Sequence, residues 1–362
     1  MQDKARHYSN IKYAMAIFGI AYNFILLFLF LYSGLSKGIA GFLSSNLAGI
    51  FVLPIYLAIV LLGYFLLDLP FNLYNTYVTE HKFSLSNQSV KSWFADQAKE
   101  VAIGYVMALS LCASFYLIFS HTGNNWWLAA SLLWASFSVL MAVVMPVLII
   151  PLFFRYKRLS DEALRGRIMG LAGKMKVNLL DCFEIDFSKK TLKGNAAFVG
   201  MGNTRRVILA DTLKDRYSYE EIEVILAHEF AHYRQGHLLK LIAVNSLIIF
   251  FVFYLIYKTN IYTLGIFGFS SLSEIGALPV ILFYFMLFGV IARPIEAFIS
   301  RSFERSADAL AIKTTGLRKE FVSTMNKLAE QNLADRNPNP AVKFFFFDHP
   351  PIDERIKYAE TG

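Results

Sequence analysis

The chain has 362 residues, of which 56% are hydrophobic and 17% charged, and its formal net charge is +8. Soluble domains carry about a quarter charged residues, so this composition excludes an ordinary soluble protein and predicts one that is embedded in lipid. The basic residues lie beside apolar stretches, where positive charge sets membrane topology, and we therefore exclude nucleic acid as a partner. The two cysteines, Cys112 and Cys182, lie in different contexts and predict free thiols.

Six apolar stretches are long enough to cross a bilayer as helices. The first follows a basic flank formed by Lys4, Arg6 and Lys12. It is too long for the core of a cleaved signal sequence and lacks a small-residue cleavage site, so it predicts a retained anchor. The predicted spans cover residues 13–33, 46–68, 101–120, 126–153, 239–258 and 276–299.

Positive charge alternates along the connections between these spans. Residues 1–12, 69–100, 154–238 and the tail after residue 299 are rich in lysine and arginine, whereas the other three connections are nearly free of them. Basic residues are retained on the cytoplasmic side of a membrane, so this alternation predicts that both termini and every large polar segment are cytoplasmic.

The polar segment 154–238 predicts a mixed structure with a small β-sheet. Its β-branched runs predict short strands, and its turn residues mark where one element ends and the next begins. The predicted elements are a helix over residues 159–176, a strand over 177–186 and a hairpin over 196–211 that turns near Gly202–Asn203.

A helix with a metal-site pattern follows. Ser218 and Glu221 form a capping-box pattern that predicts its start, and it is expected to run on toward the fifth span. Residues four apart lie on one face of a helix, so His228 and His232 can bind the same ion, with Glu229 beside them. This H-E-x-x-H spacing is the signature of zinc metalloproteases, in which the glutamate is the general base toward an activated water.

A catalytic zinc ion needs a third protein ligand and one open position. Glu304 and Asp308 lie four residues apart after the sixth span, and we predict Glu304 as the third ligand. Asp308 is predicted to accept the other ring N–H of His228 or His232; an ordinary charge pair on a solvated helix is the alternative. His237 would point about 140° away from the ligands on a continuous helix, so it is predicted to be structural.

Six sequence blocks, in order, resemble the type I CAAX prenyl proteases, which are integral-membrane zinc metalloproteases that process farnesylated proteins such as a-factor and prelamin A. The similarity covers about residues 65–360. The blocks are residues 69–100, residues 151–164, NAAFVG (195–200) with RRVILADTL (205–213), HEFAH (228–232), FERSADA (303–309) and DHPPIDERI (348–356).

This resemblance implies roles for the metal-site residues. His228, His232 and Glu304 resemble the zinc ligands of the family, which implies one Zn²⁺ per chain, and Glu229 resembles its catalytic base. The fold that it implies is a ring of helices around a water-filled chamber with the zinc site facing inward. Polar backbone at membrane depth is tolerated beside such a cavity.

The resemblance also implies residues that bind and orient the substrate. His349 and Arg355 resemble residues that line the site, where a histidine can stabilise the oxyanion of the tetrahedral intermediate. An edge strand that pairs with an extended substrate is implied for Asn195, Ala196, Ala197 and Phe198.

We therefore expect an α-helical multi-pass membrane protein, with six or seven spans around an internal chamber and a zincin-like catalytic region that contains a small β-sheet. The expected regions are an N-terminal membrane domain (1–153) of about four spans with a cytoplasmic segment (69–100), a catalytic region (154–238), two further spans (239–299) and a C-terminal segment with the third ligand (300–362).

The chain departs from the family pattern in several places. The family usually has seven spans, and the sequence predicts six, as if the first were missing. Its HSNAY stretch is KGNAA here, which alters the substrate groove rather than the zinc chemistry. The long acidic insertion of some members and a C-terminal retention signal are both missing. These differences favour a bacterial inner-membrane protein, with its active-site segments toward the cytoplasm, over one of the endoplasmic reticulum.

The predicted function is that of a membrane-embedded zinc metalloendopeptidase. Its predicted substrate is a peptide or protein, with or without a prenylated C-terminus. Membrane lipid is predicted to surround the enzyme. One alternative is a quality-control protease of the HtpX type, which clips damaged membrane proteins but is shorter and lacks the LPFNLYNTYV segment. Another is a non-enzymatic transporter with structural zinc. The predicted spans 101–120 and 126–153 contain no charged residue that could relay an ion or a proton. Structural zinc also prefers four protein ligands, and the sequence offers three, so both facts favour the protease.

Overall fold

The chain is described here by a computed structural model that covers residues 2–200 and 205–361. Six of its helices are long and apolar enough to cross a membrane, which confirms the number of predicted spans. They also confirm the predicted fold class, because a small four-stranded sheet accompanies them. Each helix extends beyond the predicted apolar stretch at one end or at both. The spanning segments are Asp3–Tyr32, Gly49–Lys82, Val90–His121, Gly123–Phe153, His237–Ile266 and Ile275–Thr315.

Fifteen α-helices and four strands follow one another along the described residues. The helices are α1 (Gln2–Tyr32), α2 (Leu35–Asn46), α3 (Gly49–Asn72), α4 (Thr79–Lys82), α5 (Val90–His121), α6 (Trp126–Val144), α7 (Ile150–Phe153), α8 (Glu162–Lys174), α9 (Asp211–Lys214), α10 (Tyr219–Arg234), α11 (His237–Ile266), α12 (Leu278–Thr315), α13 (Arg318–Gln331), α14 (Pro340–Phe346) and α15 (Ile352–Thr361). The strands are β1 (Tyr156–Arg158), β2 (Asp181–Ile185), β3 (Ala196–Val199) and β4 (Arg206–Ala210). Short π-helical segments, Leu73–Val78 and Met145–Ile149, join α3 to α4 and α6 to α7.

The last spanning helix is long enough to carry residues beyond the membrane. α12 has 38 residues, so it is about 57 Å long, whereas the hydrocarbon core of a bilayer is about 30 Å thick. Its C-terminal part therefore continues past the apolar stretch and reaches the polar region of the protein, where Glu304 and Asp308 pack against α10.

The small sheet has the strand order β1-β2-β4-β3. β2 and β4 pair in parallel, and β3 pairs antiparallel with β4, with Ala196 opposite Leu209 and Val199 opposite Arg206. The predicted helix, strand and hairpin correspond to α8, β2 and the β3–β4 pair, whereas β1 was not predicted. The turn predicted near Gly202–Asn203 lies outside the described residues. In this order β3 is an edge strand.

The hydrophobic core of the polar region lies between this sheet, α8, α10 and α12. Leu171, Leu209 and Phe230 are fully buried there, together with Cys182. Cys112 is partly buried against α3, far along the chain from Cys182. Both cysteines are free, as predicted. This core fixes α10, the helix that carries the H-E-x-x-H pattern, against the part of α12 that carries Glu304.

The predicted continuous helix from the metal pattern into the fifth span is wrong. α10 ends at Arg234, and α11 begins at His237. Gly236, between them, has a φ of 67°, a left-handed conformation that glycine adopts readily and that ends helices. The chain therefore changes direction at Gly236 before the fifth spanning helix.

Candidate metal centre

The helix that carries the centre is held at its start by a capping box and an ion pair. The Ser218 hydroxyl accepts the backbone N–H of Glu221 at 3.2 Å, and the Glu221 carboxylate accepts the backbone N–H of Ser218 at 2.8 Å. The same carboxylate accepts hydrogen bonds from Ser323 and Lys327 of α13, both at 2.6 Å. Burial alone would raise the pKa of Glu221, but these donors outweigh it and lower the pKa. The predicted capping box is confirmed, and it ties α10 to α13.

His228, His232 and Glu304 meet at one point between α10 and α12. His228 Nε2 lies 3.0 Å from His232 Nε2 and 3.1 Å from Glu304 Oε2. His232 Nε2 lies 3.1 Å from Glu304 Oε1. One ligand atom from each residue lies within 4.8 Å of the others. The structure thus brings together the three residues that the sequence predicted as metal ligands.

The atoms at this point suit a divalent cation. Two ring nitrogens that face each other cannot both carry a hydrogen, and both contact the buried carboxylate of Glu304. Burial lowers the pKa of His228, but hydrogen bonds to Asp308 and Glu304 outweigh it and raise the pKa to about 9. The negative potential that holds a proton there also attracts a metal ion. Two imidazoles and one carboxylate form a donor set that zinc accepts, and they leave one position open.

His228 is oriented by a carboxylate on α12. Its Nδ1 lies 2.8 Å from Asp308 Oδ1, which resolves the choice between His228 and His232 that the sequence left open. Asp308 in turn accepts two hydrogen bonds from Arg355 of α15, from Nε at 2.8 Å and from Nη2 at 2.6 Å. Burial lowers the pKa of Arg355, but the charge of Asp308 outweighs it and raises the pKa. Arg355 therefore contacts the centre through Asp308.

His237 does not point away from the centre, and that prediction is wrong. The turn at Gly236 brings it back, so that its Nδ1 lies 2.9 Å from His232 Nδ1. Its Nε2 lies 3.3 Å from the Ser306 hydroxyl, and its ring stacks on Phe303 with a centroid distance of 4.3 Å. His237 thus holds the outer nitrogen of His232, as Asp308 does for His228. Gly236, which follows the H-E-x-x-H helix in the sequence, was the signal that could have predicted the helix end and the return of His237.

Glu229 lies beside the ligands with its carboxylate free. The side chain is half-buried, and it has no hydrogen-bond partner among the described residues. Burial raises the pKa of Glu229, although the neighbouring His228 and His232 oppose this shift. A carboxylate with a raised pKa and no partner is suited to exchange protons with a bound water.

The loop after α14 places His349 at the edge of the centre. His349 Nε2 lies 3.4 Å from Glu304 Oε1, and its Nδ1 lies 2.8 Å from Asp348 Oδ1. Burial lowers the pKa of His349, but Asp348 and Glu304 outweigh it and raise the pKa. Arg301 fixes this loop by donating to the backbone carbonyls of Lys343 and Phe347. Arg301 was not among the predicted site residues, because its partners lie more than forty residues away in sequence.

The predicted substrate strand lies along α10. Asn195 precedes β3, and its carbonyl accepts the backbone N–H of Ala210 at 3.0 Å. Phe198 packs edge-on against Phe230 and Tyr233 of α10, with centroid distances of 5.3 and 5.2 Å. The Phe198 side chain is therefore used in packing. Ala196 also packs against the core, so the edge of β3 that pairs with no other described strand offers its backbone rather than these side chains.

Both parts of the chain match known protein families. The family model described as peptidase family M48 matches residues 158–361. The family model described as the N-terminal domain of CAAX prenyl proteases, with five membrane helices, matches residues 2–155. The described residues of this N-terminal part contain spanning helices at Asp3–Tyr32, Gly49–Lys82, Val90–His121 and Gly123–Phe153, together with the 12-residue helix α2.

Similar proteins come from bacteria and from eukaryotes. The chain is 30% identical to the uncharacterized metalloprotease YhfN of Bacillus subtilis, over 98% of this chain and 84% of that protein. It is 30% identical to CAAX prenyl protease 1 of Saccharomyces cerevisiae, with the same coverage of both proteins. The human CAAX prenyl protease 1 homolog is 26% identical, over 85% of this chain and 73% of that protein. The bacterial relative supports the predicted bacterial origin.

A solved structure has the same fold along nearly the whole chain. The crystal structure of S. mikatae Ste24p superposes with a TM-score of 0.89 at 25% identity, and it covers 99% of this chain and 89% of that one. These matches confirm the family that the six sequence blocks suggested, and a peptidase family of this kind works with a metal ion, generally zinc. The chain belongs to peptidase family M48 and is a membrane-embedded metalloprotease with the N-terminal domain of CAAX prenyl proteases.

Proposed function

We propose that this protease is a zinc enzyme, with one Zn²⁺ per chain, that removes the C-terminal tripeptide from proteins ending in cysteine, two aliphatic residues and a final residue. The cluster of His228, His232 and Glu304, with Glu229 beside it and an edge strand along the same helix, carries this proposal. The 30% identity to yeast CAAX prenyl protease 1 supports this substrate class. Membership in a peptidase family decides against the transporter alternative.

The residues of the centre have separate tasks in peptide hydrolysis. His228, His232 and Glu304 would hold the zinc ion, which supplies Lewis-acid polarisation of a water and of the scissile carbonyl when it is bound. Glu229 takes a proton from the attacking water and passes it to the leaving amine nitrogen. Its free carboxylate and its raised pKa support this role.

The surrounding residues would bind the peptide and stabilise charge. Asn195 and β3 offer backbone groups to an extended substrate, as in other cases where a peptide adds a strand to a sheet. His349, whose Nε2 lies 3.4 Å from Glu304 Oε1, would donate a hydrogen bond to the oxyanion of the tetrahedral intermediate. Asp308 and Arg355 are positioning residues in this scheme, because Arg355 contacts Asp308 and Asp308 contacts His228.

We further propose that the centre faces the cytoplasmic side of a bacterial inner membrane, where lipid surrounds the helices. Lys4, Arg6 and Lys12 lie at the same end of α1 that contacts the polar region. In these contacts Tyr8 donates to Glu80 at 2.7 Å, and Tyr13 donates to Asp335 at 3.1 Å. The N-terminus and the catalytic region thus share one side, and the positive-inside rule makes that side cytoplasmic.

The test compares the purified full-length chain with its Glu229→Gln variant, each in detergent. Three substrates are supplied: a farnesylated peptide ending in a CAAX sequence, the same peptide without farnesyl, and an unfolded fragment of a membrane protein. Each reaction is repeated with a zinc chelator and again after zinc is restored. We expect the wild type to release the tripeptide, and the variant and the chelated enzyme to lose this activity.

The substrate preference decides between the proposal and its alternative. Cleavage of the farnesylated peptide alone would show that the enzyme recognises the farnesyl group. Cleavage of both CAAX peptides would show that the farnesyl group is dispensable. Cleavage of only the unfolded fragment would contradict the proposed substrate and favour a quality-control protease of the HtpX type. Activity that survives in Glu229→Gln would contradict the role of Glu229.

A further inference from the structure

A large cavity lies beside the start of the edge strand. Its volume is about 880 Å³, and it is bounded by α1, α4, α5, α6, the segments around α7 and residues 190–193. Lys193, which lines it, stands two residues before Asn195 and three before the first residue of β3. The cavity therefore borders the end of the strand on which the proposed substrate would lie.

The wall of the cavity changes from charged to apolar along α5. Along α5 the lining residues run from Asp96 and Glu100 to Ile103 and Met107, which is a distance of about 17 Å from first to last on a helix. The apolar wall is extended by Met141, near the end of α6, and by Met145, at the start of the π-helical segment that follows. Methionine side chains are flexible and accept aliphatic groups of different shapes.

The charges near β3 have a local excess of one cation. Lys193 Nζ lies 2.8 Å from Glu80 Oε2, and Lys12 Nζ lies 3.3 Å from Glu80 Oε1. Two ammonium groups thus share one carboxylate. Tyr8 also donates to Glu80 and adds no negative charge. The other acceptors of these ammonium groups, Asn75 and the Tyr8 hydroxyl, are neutral, so an anion that entered beside the two lysines would balance the charge.

The other charges of the cavity lie elsewhere on its wall. Asp96 accepts Lys190 Nζ at 2.6 Å and Gln88 Nε2 at 2.6 Å, so it is paired. Glu100 on α5 accepts a hydrogen bond from Gln97 at 3.1 Å and has no cationic partner within 4.0 Å among the described residues. The wall is therefore positive beside β3 and negative on α5, which favours an anionic ligand group at the β3 side.

The direction of strand pairing places the substrate's C-terminus at this side. Antiparallel pairs outnumber parallel ones by about two- to threefold, and an antiparallel substrate would run past β3 toward Asn195 and Lys193. Three residues of extended chain span about 10 Å. That length matches the three residues that separate Lys193 from Ala196, the first residue of β3.

We propose that this cavity binds the C-terminal end of the peptide substrate, with Lys12 and Lys193 holding its free carboxylate and the methionine and isoleucine wall holding its aliphatic side chains. This inference rests on the proposed function. It adds a carboxylate-binding cavity that would make the enzyme prefer the C-terminal end of a substrate over an internal peptide segment. Lys12 and Lys193 are then specificity residues that contact the substrate, although they lie outside the metal centre.

The test measures binding of two fluorescent peptides that differ only at the C-terminus, one with a free carboxylate and one with an amide. The full-length zinc-loaded Glu229→Gln protein in detergent is the parent, since it is expected to bind without cutting. We expect the amide to bind roughly tenfold more weakly, as is typical when a charge-assisted hydrogen bond is lost. Lys193→Gln in this parent should bring the two affinities together, and Lys12→Gln should do so in part.

The matched control is Lys189→Gln. Lys189 is an exposed lysine of the same loop that pairs with Asp186 at 2.7 Å and does not line the cavity, so this variant should keep the full preference for the carboxylate. Equal binding of both peptides by the parent, or an unchanged preference in both Lys193→Gln and Lys12→Gln, would overturn the inference.

A parallel cleavage assay in the wild-type background separates this inference from the proposed function. A carboxylate preference in binding that depends on Lys193, without cleavage of either peptide, would leave the carboxylate site standing and reject the proposed function. Cleavage of both peptides at equal rates, with equal binding, would leave the protease standing and reject the carboxylate site.

Discussion

His237 Nδ1 lies 2.9 Å from His232 Nδ1, although the two residues belong to different helices separated by Gly236. Only one of these nitrogens can carry the hydrogen between them. If His232 donates from Nδ1, its Nε2 keeps a free lone pair for the metal, and His237 Nε2–H is left to donate to Ser306. The relationship therefore gives His237 the position from which it can accept the Nδ1 hydrogen of His232, as the ring form of a metal ligand requires.

We predict that His237→Phe lowers zinc affinity by about 10- to 100-fold, which is the usual effect of removing an outer partner of a metal ligand. Phenylalanine can keep the stacking on Phe303 but offers no acceptor to His232. His237→Asn, whose side-chain oxygen can replace Nδ1 as acceptor, should recover part of the loss. Competitive zinc titration measures both, and the absorption bands of the cobalt-substituted protein report the ligand geometry. Wild-type zinc affinity in His237→Phe would refute this role.

Removal of Arg355 should destabilise the protein strongly. Arg355→Met leaves Asp308 as a buried carboxylate without its counter-ion, and breaking a buried pair from one side typically costs about 3–5 kcal/mol. We expect a large fall in the midpoint of thermal unfolding, measured in detergent, and weaker zinc binding because Asp308 orients His228. Asp308→Asn combined with Arg355→Met removes both charges and should recover part of the stability. If the double variant were no more stable than Arg355→Met, the charge would not be the cause.

The stability of the catalytic region should depend on the ionisation of Glu221. Hydrogen bonds from Lys327, Ser323 and the backbone of Ser218 lower its pKa below the ordinary 4.5 against the effect of burial. A group whose folded pKa is depressed contributes stability above its unfolded pKa and loses that contribution as the pH falls through the folded pKa. The wild type should therefore lose its advantage over Glu221→Gln as the pH falls below about 4.5. Thermal unfolding of both proteins at a series of pH values measures the difference, and a constant difference would speak against the mechanism.

Gly194 should not tolerate a larger side chain without a shift of its buried neighbours. A Cβ at this position would lie 2.7 Å from Gln331 Oε1 and 2.7 Å from a methyl group of Leu213. We expect Gly194→Ser to cost about 1–3 kcal/mol of stability, as overpacking usually does, and to lower kcat/KM by displacing Asn195. The control is Gly170→Ala on α8, where a Cβ meets nothing within 4 Å. That change should be neutral or stabilising by up to about 1 kcal/mol, because alanine is the better helix former. Equal effects of the two substitutions would contradict the proposed clash.

The sequence alone determined the class of the protein and the core of its chemistry. Apolar length predicts membrane spans because a bilayer imposes a fixed thickness, and the six spans followed from it. Four-residue spacing predicts a shared helix face because the helix period is nearly constant, so the positions of His228 and His232 in the chain are enough to pair them as ligands. The order of the blocks then identified the family.

Contacts between residues far apart in sequence were decided only by the tertiary structure. The turn at Gly236 returns His237 to His232, and packing of α10 against α12 selects His228 as the partner of Asp308. The cavity beside Lys193 needs α1, α4 and α5 to meet, and no periodic pattern encodes that meeting. Local spacing is set by backbone geometry, whereas these contacts are set by how complete helices pack, and that depends on side chains along the whole chain.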